Sequence, residues 1–421
     1  MSVASLALGF AREATIAYFF GTCQELDAFL IGMALPSLLV VNVASITVAV
    51  VLPVYVAHRE AGRLADATAL VQKWFWFSAL VIAGICLAIF CAAGPLMKAM
   101  AAGFGPAQQA RAGHWLRTML PYVWLLAMVG IFKTILNSND RFAVPAMTNQ
   151  LVALGVIVSC VAGAQKLGVG ALVVGFGGGA VVAFGWQWAN ARRFEPKLVS
   201  LAGIRRNVSI PMAAGGAMAL HSLALQVDVA VDRAFASTLP HGSVAAYNYA
   251  QRVNAMPSAI ITSVLATVLF PVLARMTAAG KWREALRTVS RWCTALVLLG
   301  LVPVLLLVMF RFQLISVVFH RGAFDEAAVR LTAEPLCFLP FSILISSAST
   351  LFSQLLLAQR RARAVALLSM LVISLKFLLN LVFVRSYGLA GLALATVVAS
   401  AVVTTLRIIV ASRYGPAGGN Q

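Results

Sequence analysis

Twelve apolar runs, each long enough to cross a bilayer as a helix, govern what this chain can fold into. A helix rises about 1.5 Å per residue, so about 20 apolar residues cover the hydrocarbon core. Such runs lie at about 2–21, 26–56, 74–97, 115–137, 145–164, 168–190, 208–236, 243–274, 291–311, 332–357, 364–385 and 388–412. They are continuously apolar rather than alternating, which argues against a β-barrel. Hydrophobic residues make up 61% of the chain and charged ones 11%, and no soluble core buries that much apolar surface. The reading is an all-α membrane protein.

The formal net charge is +19, but the basic residues fall in short clusters between apolar runs. That pattern points to topology signals and anionic lipid headgroups rather than to nucleic acid. With the N-terminus inside, cytoplasmic segments hold 19 Lys and Arg, among them Arg59, Arg192, Arg193, Arg361 and Arg407, against 8 on the far side. Both termini are therefore expected in the cytoplasm. The first apolar run carries Arg12 and Glu13 at its centre and no small-residue cleavage site, so targeting is expected to rest on the membrane helices. Six cysteines form no C-x-x-C pair and no Cys/His cluster, so neither a metal nor a cofactor is expected.

The chain echoes itself at an offset of about 219 residues. PYVWLLAMVGIFKTILNSNDR from Pro121 answers PFSILISSASTLFSQLLLAQR from Pro340, and LGVGAL at 167–172 answers YGLAGL at 387–392. Pro53 in the second run has a counterpart in Pro271 of the eighth. Six spans per half is an even number, so the halves enter the membrane in the same sense. The pattern predicts about twelve transmembrane helices in two parallel six-helix repeats around a central cavity. The N-terminal lobe is expected at 1–190, a basic cytoplasmic linker at 191–207 and the C-terminal lobe at 208–421.

Ionisable residues inside a span normally face a cavity or a partner. Arg12 and Glu13 share the first span; neighbours on a helix point about 100° apart, so they need not pair. Asp27 opens the second span and could meet Arg12. Asp228 and Asp232 share one face of the seventh, beside Arg233. Arg252 stands in the eighth, flanked by Asn248, Gln251 and Asn254, and Lys376 stands alone in the eleventh. Converging, these groups would line a polar, cationic cavity. Guanidinium forks grip phosphate oxygens in bidentate fashion, which suits Arg12 and Arg252 to a pyrophosphate. The aspartates would hold the arginines or take up a cation. The bland reading is a set of structural ion pairs. Lys133 lies near a helix end and can snorkel, and His221 reads as a packing residue. The GFGGG run at 175–179 reads as a close-packing surface.

No G-x-S-x-G, H-E-x-x-H or Walker motif occurs, so the chain reads as a non-enzyme. Energy for transport would come from a substrate gradient, a cation gradient or the membrane potential. The potential is worth about 2.3 kcal/mol per charge per 100 mV.

LGFAREATIAYFFGTCQELDAFLIGMALP at 8–36 resembles the N-terminal signature of the lipid II flippases, the MurJ/MviN family. NSNDRFAVPA at 137–146, GSVAAYNYAQRVNAMPSAI at 242–260, TVLFPVLARM at 267–276 and HRGAFD at 320–325 resemble further family segments in the same order. That family belongs to the multidrug, oligosaccharidyl-lipid and polysaccharide exporter superfamily. The resemblance implies a flippase of the bacterial inner membrane that carries an undecaprenyl-pyrophosphate-linked saccharide by alternating access. It also implies cavity roles for Arg12, Asp27 and Arg252. Leu6, Ala34 and Val40 stand where family members of the peptidoglycan pathway carry basic residues, so the cargo is lipid II or an exopolysaccharide or O-antigen unit. Other readings are an ion-coupled multidrug exporter, or a non-transporting scaffold for cell-envelope assembly. The exporter predicts a cavity of acids and aromatics; the scaffold predicts that neutralising the charges changes nothing.

Overall fold

The computed structural model describes residues 3–37, 47, 51–195, 199–201, 227–265, 269–359 and 361–413. His221, Val40 and the side chain of Leu6 fall outside them. Among the described residues the secondary structure is helical and no strand occurs.

The first half contains α1 (Val3–Phe20), α2 (Gln24–Gly32), α3 (Leu52–Glu60), α4 (Leu64–Met100), α5 (Pro106–Asn137), α6 (Ala143–Ala146), α7 (Thr148–Leu167) and α8 (Gly170–Ala191). A further helix runs over 227–236. The second half contains α9 (Ser243–Val264), α10 (Phe270–Ala278), α11 (Trp282–Met309), α12 (Arg311–Phe319), α13 (Glu326–Ala333), α14 (Phe341–Ala358) and α15 (Ala362–Arg413). Among the described residues, seven helical stretches are long and apolar enough to cross a membrane, and the last of them bends into two at Gly388. α4 spans 37 residues, about 55 Å, so it reaches well beyond the hydrocarbon core. Leu80 and Leu87 of α4 and Leu298, Leu299 and Val302 of α11 are all largely exposed, Leu299 at 76%. Such a surface is stable only against lipid.

The repeat is visible in backbone angles. Gly168 has φ +54°, ψ −139°, and Gly388 has φ +56°, ψ −133°. Both sit where only glycine is comfortable. Gly62 and Gly280 have φ +72° and +71°. The residues that follow, Arg63 and Lys281, have φ, ψ of −85°, 58° and −84°, 56°. α3 and α10 are both nine-residue helices with a proline in the first turn, Pro53 and Pro271. Two halves with little sequence identity therefore bend at the same places.

The chain divides into two compact units, Met1–Thr238 and Leu239–Gln421. The helix over 227–236 belongs to the first, where Arg233 Nη1 donates to the Leu30 carbonyl at 2.8 Å. This division falls after the joint expected at 191–207, and the helix over 227–236 is attached to the first unit. The core of the first unit sets Ile131, Phe132 and Ile135 of α5 against Leu70, Trp74 and Phe75 of α4. In the second unit, Leu351, Phe352 and Leu355 of α14 meet Ala285 and Val289 of α11.

α7 and α8 approach so closely that side chains would collide with backbone. A Cβ on Gly155 would stand 2.6 Å from the Gly175 carbonyl oxygen, and one on Gly179 would stand 2.6 Å from Val152 Cα. This is the packing role predicted for the glycine run, carried by Gly175 and Gly179. Gly177, Gly178 and Gly185 face open space.

Candidate functional site

Arg12 and Glu13 do pair. Arg12 Nη2 donates to Glu13 Oε1 at 2.6 Å, and the two side chains are 17% and 6% exposed. The angle between neighbours on a helix separates their Cβ atoms, but the long arginine side chain reaches round to close the gap. The guanidinium carbon lies 5.6 Å from the centroid of Phe176 on α8. Phe176 stacks on Phe29 of α2 at 6.1 Å and meets Tyr122 of α5 edge-on at 5.6 Å. Phe29 in turn meets Trp115 at 6.0 Å. The arginine thus rests on an aromatic wall built from three helices, a favourable cation–π setting. Its Nε is buried without a hydrogen-bond partner. Glu13 takes one donor of a five-donor fork, so the fork is not saturated by its acid.

Asp27 is buried on α2, whose start is tied to α5 by Gln24 Nε2 donating to Gln108 Oε1 at 3.0 Å. On the helix over 227–236, Asp232 is buried and Asp228 is half-buried. Arg12, Glu13, Asp27, Asp228 and Asp232 all belong to the first unit.

The remaining candidates belong to the second. On α9, Asn248 and Asn254 are buried, Gln251 is half-buried and Arg252 is exposed. Asn254 Nδ2 donates to Ser342 Oγ of α14 at 3.1 Å, which fixes that face of the helix. Lys376 is 1% exposed. Asn380, one turn on, is fully buried, and neither atom of its amide has a hydrogen-bond partner. Lys133, expected to snorkel, is exposed.

Two charged residues emerge only from the structure. Arg407, counted from sequence as a cytoplasmic charge, is 8% exposed inside α15 and donates to Ser349 Oγ and Ser369 Oγ. The signal was present: it interrupts the apolar run of the twelfth span. Glu195 falls in the basic linker expected at 191–207, yet it is buried. Tyr55 Oη donates to its Oε1 at 2.8 Å and Thr68 Oγ1 to its Oε2 at 2.7 Å. Trp76 Nε1 donates to the Val199 carbonyl at 3.1 Å, so Glu195 and Val199 are tied to α3 and α4. No composition signal marks that docking.

A repeated, all-helical membrane protein with charged groups inside its spans has the form of a carrier. Its fold is shared with solved transporters of the exporter superfamily. An inward-closed structure of lipid II flippase MurJ matches with a TM-score of 0.82 at 18% identity, over 98% of this chain and 86% of that one. An inward-facing multidrug resistance MATE family transporter of the MOP superfamily matches with a TM-score of 0.77 at 15% identity, over 98% and 94%. Residues 16–418 match the family model described as lipid II flippase MurJ. The chain belongs to that family. The lipid II flippase MurJ of Burkholderia cenocepacia is 25% identical over 411 residues, covering 93% of this chain and 78% of that protein. A probable lipid II flippase MurJ of a Synechocystis species is 24% identical over 418 residues, covering 93% and 76%.

Proposed function

We propose that this chain is a flippase that carries an undecaprenyl-pyrophosphate-linked saccharide across the bacterial inner membrane by alternating access, with lipid II as the leading cargo. One observation carries the reading beyond family membership. Arg12 is held half-buried in α1 on an aromatic wall, with a neighbouring carboxylate that occupies only part of its fork. A pyrophosphate offers the oxygen pairs that a guanidinium binds in bidentate fashion. Arg252, exposed on α9 of the second unit, carries a fork of the same kind. In the first unit Asp27, Asp228 and Asp232 orient Arg12 or take up a coupling cation; in the second, Asn248, Gln251 and Lys376 offer polar contacts to a headgroup. The names of the relatives favour lipid II; an exopolysaccharide or O-antigen unit carries the same pyrophosphate and satisfies the same forks.

Both termini are placed in the cytoplasm, because the basic residues remain strongly one-sided even with Arg407 set aside. A cation gradient or the membrane potential supplies the bias between inward- and outward-open forms. The partners are the lipid-linked saccharide and the surrounding membrane lipids, and no nucleic acid or catalytic step enters the scheme.

Complementation of a flippase-depleted strain tests the reading. Arg12→Ala and Arg252→Ala are each expected to abolish rescue while the protein still inserts at normal levels. Arg12→Lys keeps the charge and loses the fork, and is expected to rescue weakly. Full rescue by both alanine variants would overturn the role given to the arginines.

A further inference from the structure

Arg407 is a buried guanidinium without an acid. The residue is 8% exposed, and the groups that accept from it are two neutral hydroxyls, Ser349 Oγ of α14 and Ser369 Oγ on the first limb of α15. Its Nε has no hydrogen-bond partner, and neither does Thr404 Oγ1, which is buried about one turn earlier on the same helix. Among the described residues no carboxylate forms an ion pair with it.

The shortage is a property of the whole unit. Leu239–Gln421 contains four acidic residues, Glu284, Asp325, Glu326 and Glu334, and none follows Glu334. Each is engaged elsewhere. Glu284 meets Lys281 at 3.4 Å on the surface, Asp325 caps α13 by accepting from the Ala328 amide at 2.8 Å, and Glu326 meets Arg330 at 2.8 Å. Glu334 lies beside Gly388, at the far end of the second limb of α15. Gly388 is about 28 Å along the helix axis from Arg407. After Glu334 come Arg360, Arg361, Arg363, Lys376, Arg385, Arg407 and Arg413, seven cations with no acid among them. The first lobe solves the same position without charge: Gln187, 220 residues earlier, donates to Thr148 Oγ1.

A fixed charge taken out of water requires a counter-charge, and among the described residues no carboxylate pairs with this one. We propose that Arg407, with Thr404, Ser349 and Ser369, forms a binding site for a phosphate group at the end of the second-lobe helices, with the phosphate drawn from outside the chain. Arg407 lies six residues from Arg413, about 9 Å along the axis from the helix end, within reach of the headgroup layer. A phosphodiester of an anionic membrane lipid and free inorganic phosphate share the chemistry that this fork recognises. The proposal uses neither Arg12 nor Arg252, and the flippase reading can fail without affecting it.

Native mass spectrometry of the full chain, released from bilayers of phosphatidylglycerol and phosphatidylcholine, tests the site. The wild type is expected to retain phosphatidylglycerol, and Arg407→Gln, which installs the first-lobe residue, is expected to retain it at least tenfold less. Thermal unfolding in detergent, with inorganic phosphate or chloride at constant ionic strength, separates the sources. Stabilisation of the wild type by phosphate alone assigns a free anion; stabilisation by the lipid alone assigns a headgroup. Absence of any lipid or phosphate response in the wild type overturns the proposal, and so does a folded Arg407→Gln that responds like the wild type. Should Arg407→Gln not fold, Arg407→Lys decides. It keeps the charge and loses the fork, and is expected to weaken the response at least threefold; an unchanged response rules the site out.

Discussion

The helix pair α7–α8 and the two limbs of α15 occupy the same place in the repeat, bend at equivalent glycines and have opposite interiors. In α7–α8, Gly155, Gly175 and Gly179 bring backbone against backbone, and the polar contact is the neutral pair Gln187–Thr148. In α15, alanines stand at 395 and 399 where glycines stand at 175 and 179, and Lys376, Asn380 and Arg407 are buried. One pair is closed by backbone contact at glycines; its counterpart buries charged and amide side chains. A duplicated backbone leaves the interior free to diverge, because the bend depends on glycine angles and not on what the helices enclose.

Placing a charge in the tight pair gives the sharpest test of that contrast. Gln187→Arg puts a guanidinium where Gln187 is 1% exposed and donates to Thr148 Oγ1. The expected cost is several kcal/mol, seen as loss of folded, monodisperse protein after detergent extraction. If Gln187→Arg accumulates and unfolds like the wild type, the two interiors are not as different as their packing states.

Gly175→Ala follows. The added Cβ would stand 2.6 Å from Val156 Cα and still closer to Ser159 Oγ. Overpacking of this kind costs about 1–3 kcal/mol. Gly177→Ala, with open space around it, is the matched control and should leave thermal unfolding unchanged.

Substituting the hinge glycines probes the common part of the two pairs. Gly168→Ala and Gly388→Ala each force a side chain into backbone angles that disfavour it, at about 1–3 kcal/mol each. Similar losses in unfolding temperature would support equivalence of the two bends. A large loss at one glycine alone would break it.

The smallest effect belongs to the aromatic wall. Phe176→Leu keeps an apolar side chain but removes the ring beneath Arg12, an interaction worth about 0.5–2 kcal/mol depending on desolvation. Complementation should weaken rather than vanish. An effect as large as that of Arg12→Ala would mean that the ring does more than seat the arginine.

Much of the fold was legible in the chain. Hydropathy separates lipid-facing helices from their connections, and the offset series around Pro121/Pro340 and Gly168/Gly388 announced the duplication before any coordinate did. The candidate site was legible only in part. A charge within an apolar run stands out, so Arg12, Arg252 and Lys376 can be singled out as candidates from sequence. Arg407 was missed because its nearness to a helix end made it look like a headgroup charge. Glu195 was missed because a polar linker gives no sign of docking.

By itself, the amino-acid order determined that the chain belongs in a bilayer as a duplicated bundle of helices, since burial of apolar side chains and backbone hydrogen bonding act residue by residue along the chain. The tertiary structure alone decided which charges face inward and what meets them. Arg12 turns onto a ring 164 positions away, Tyr55 finds Glu195 across 140, and Arg407 finds Ser349 across 58. Those partners are set by side-chain reach and helix packing in three dimensions, and no one-dimensional pattern carries that information.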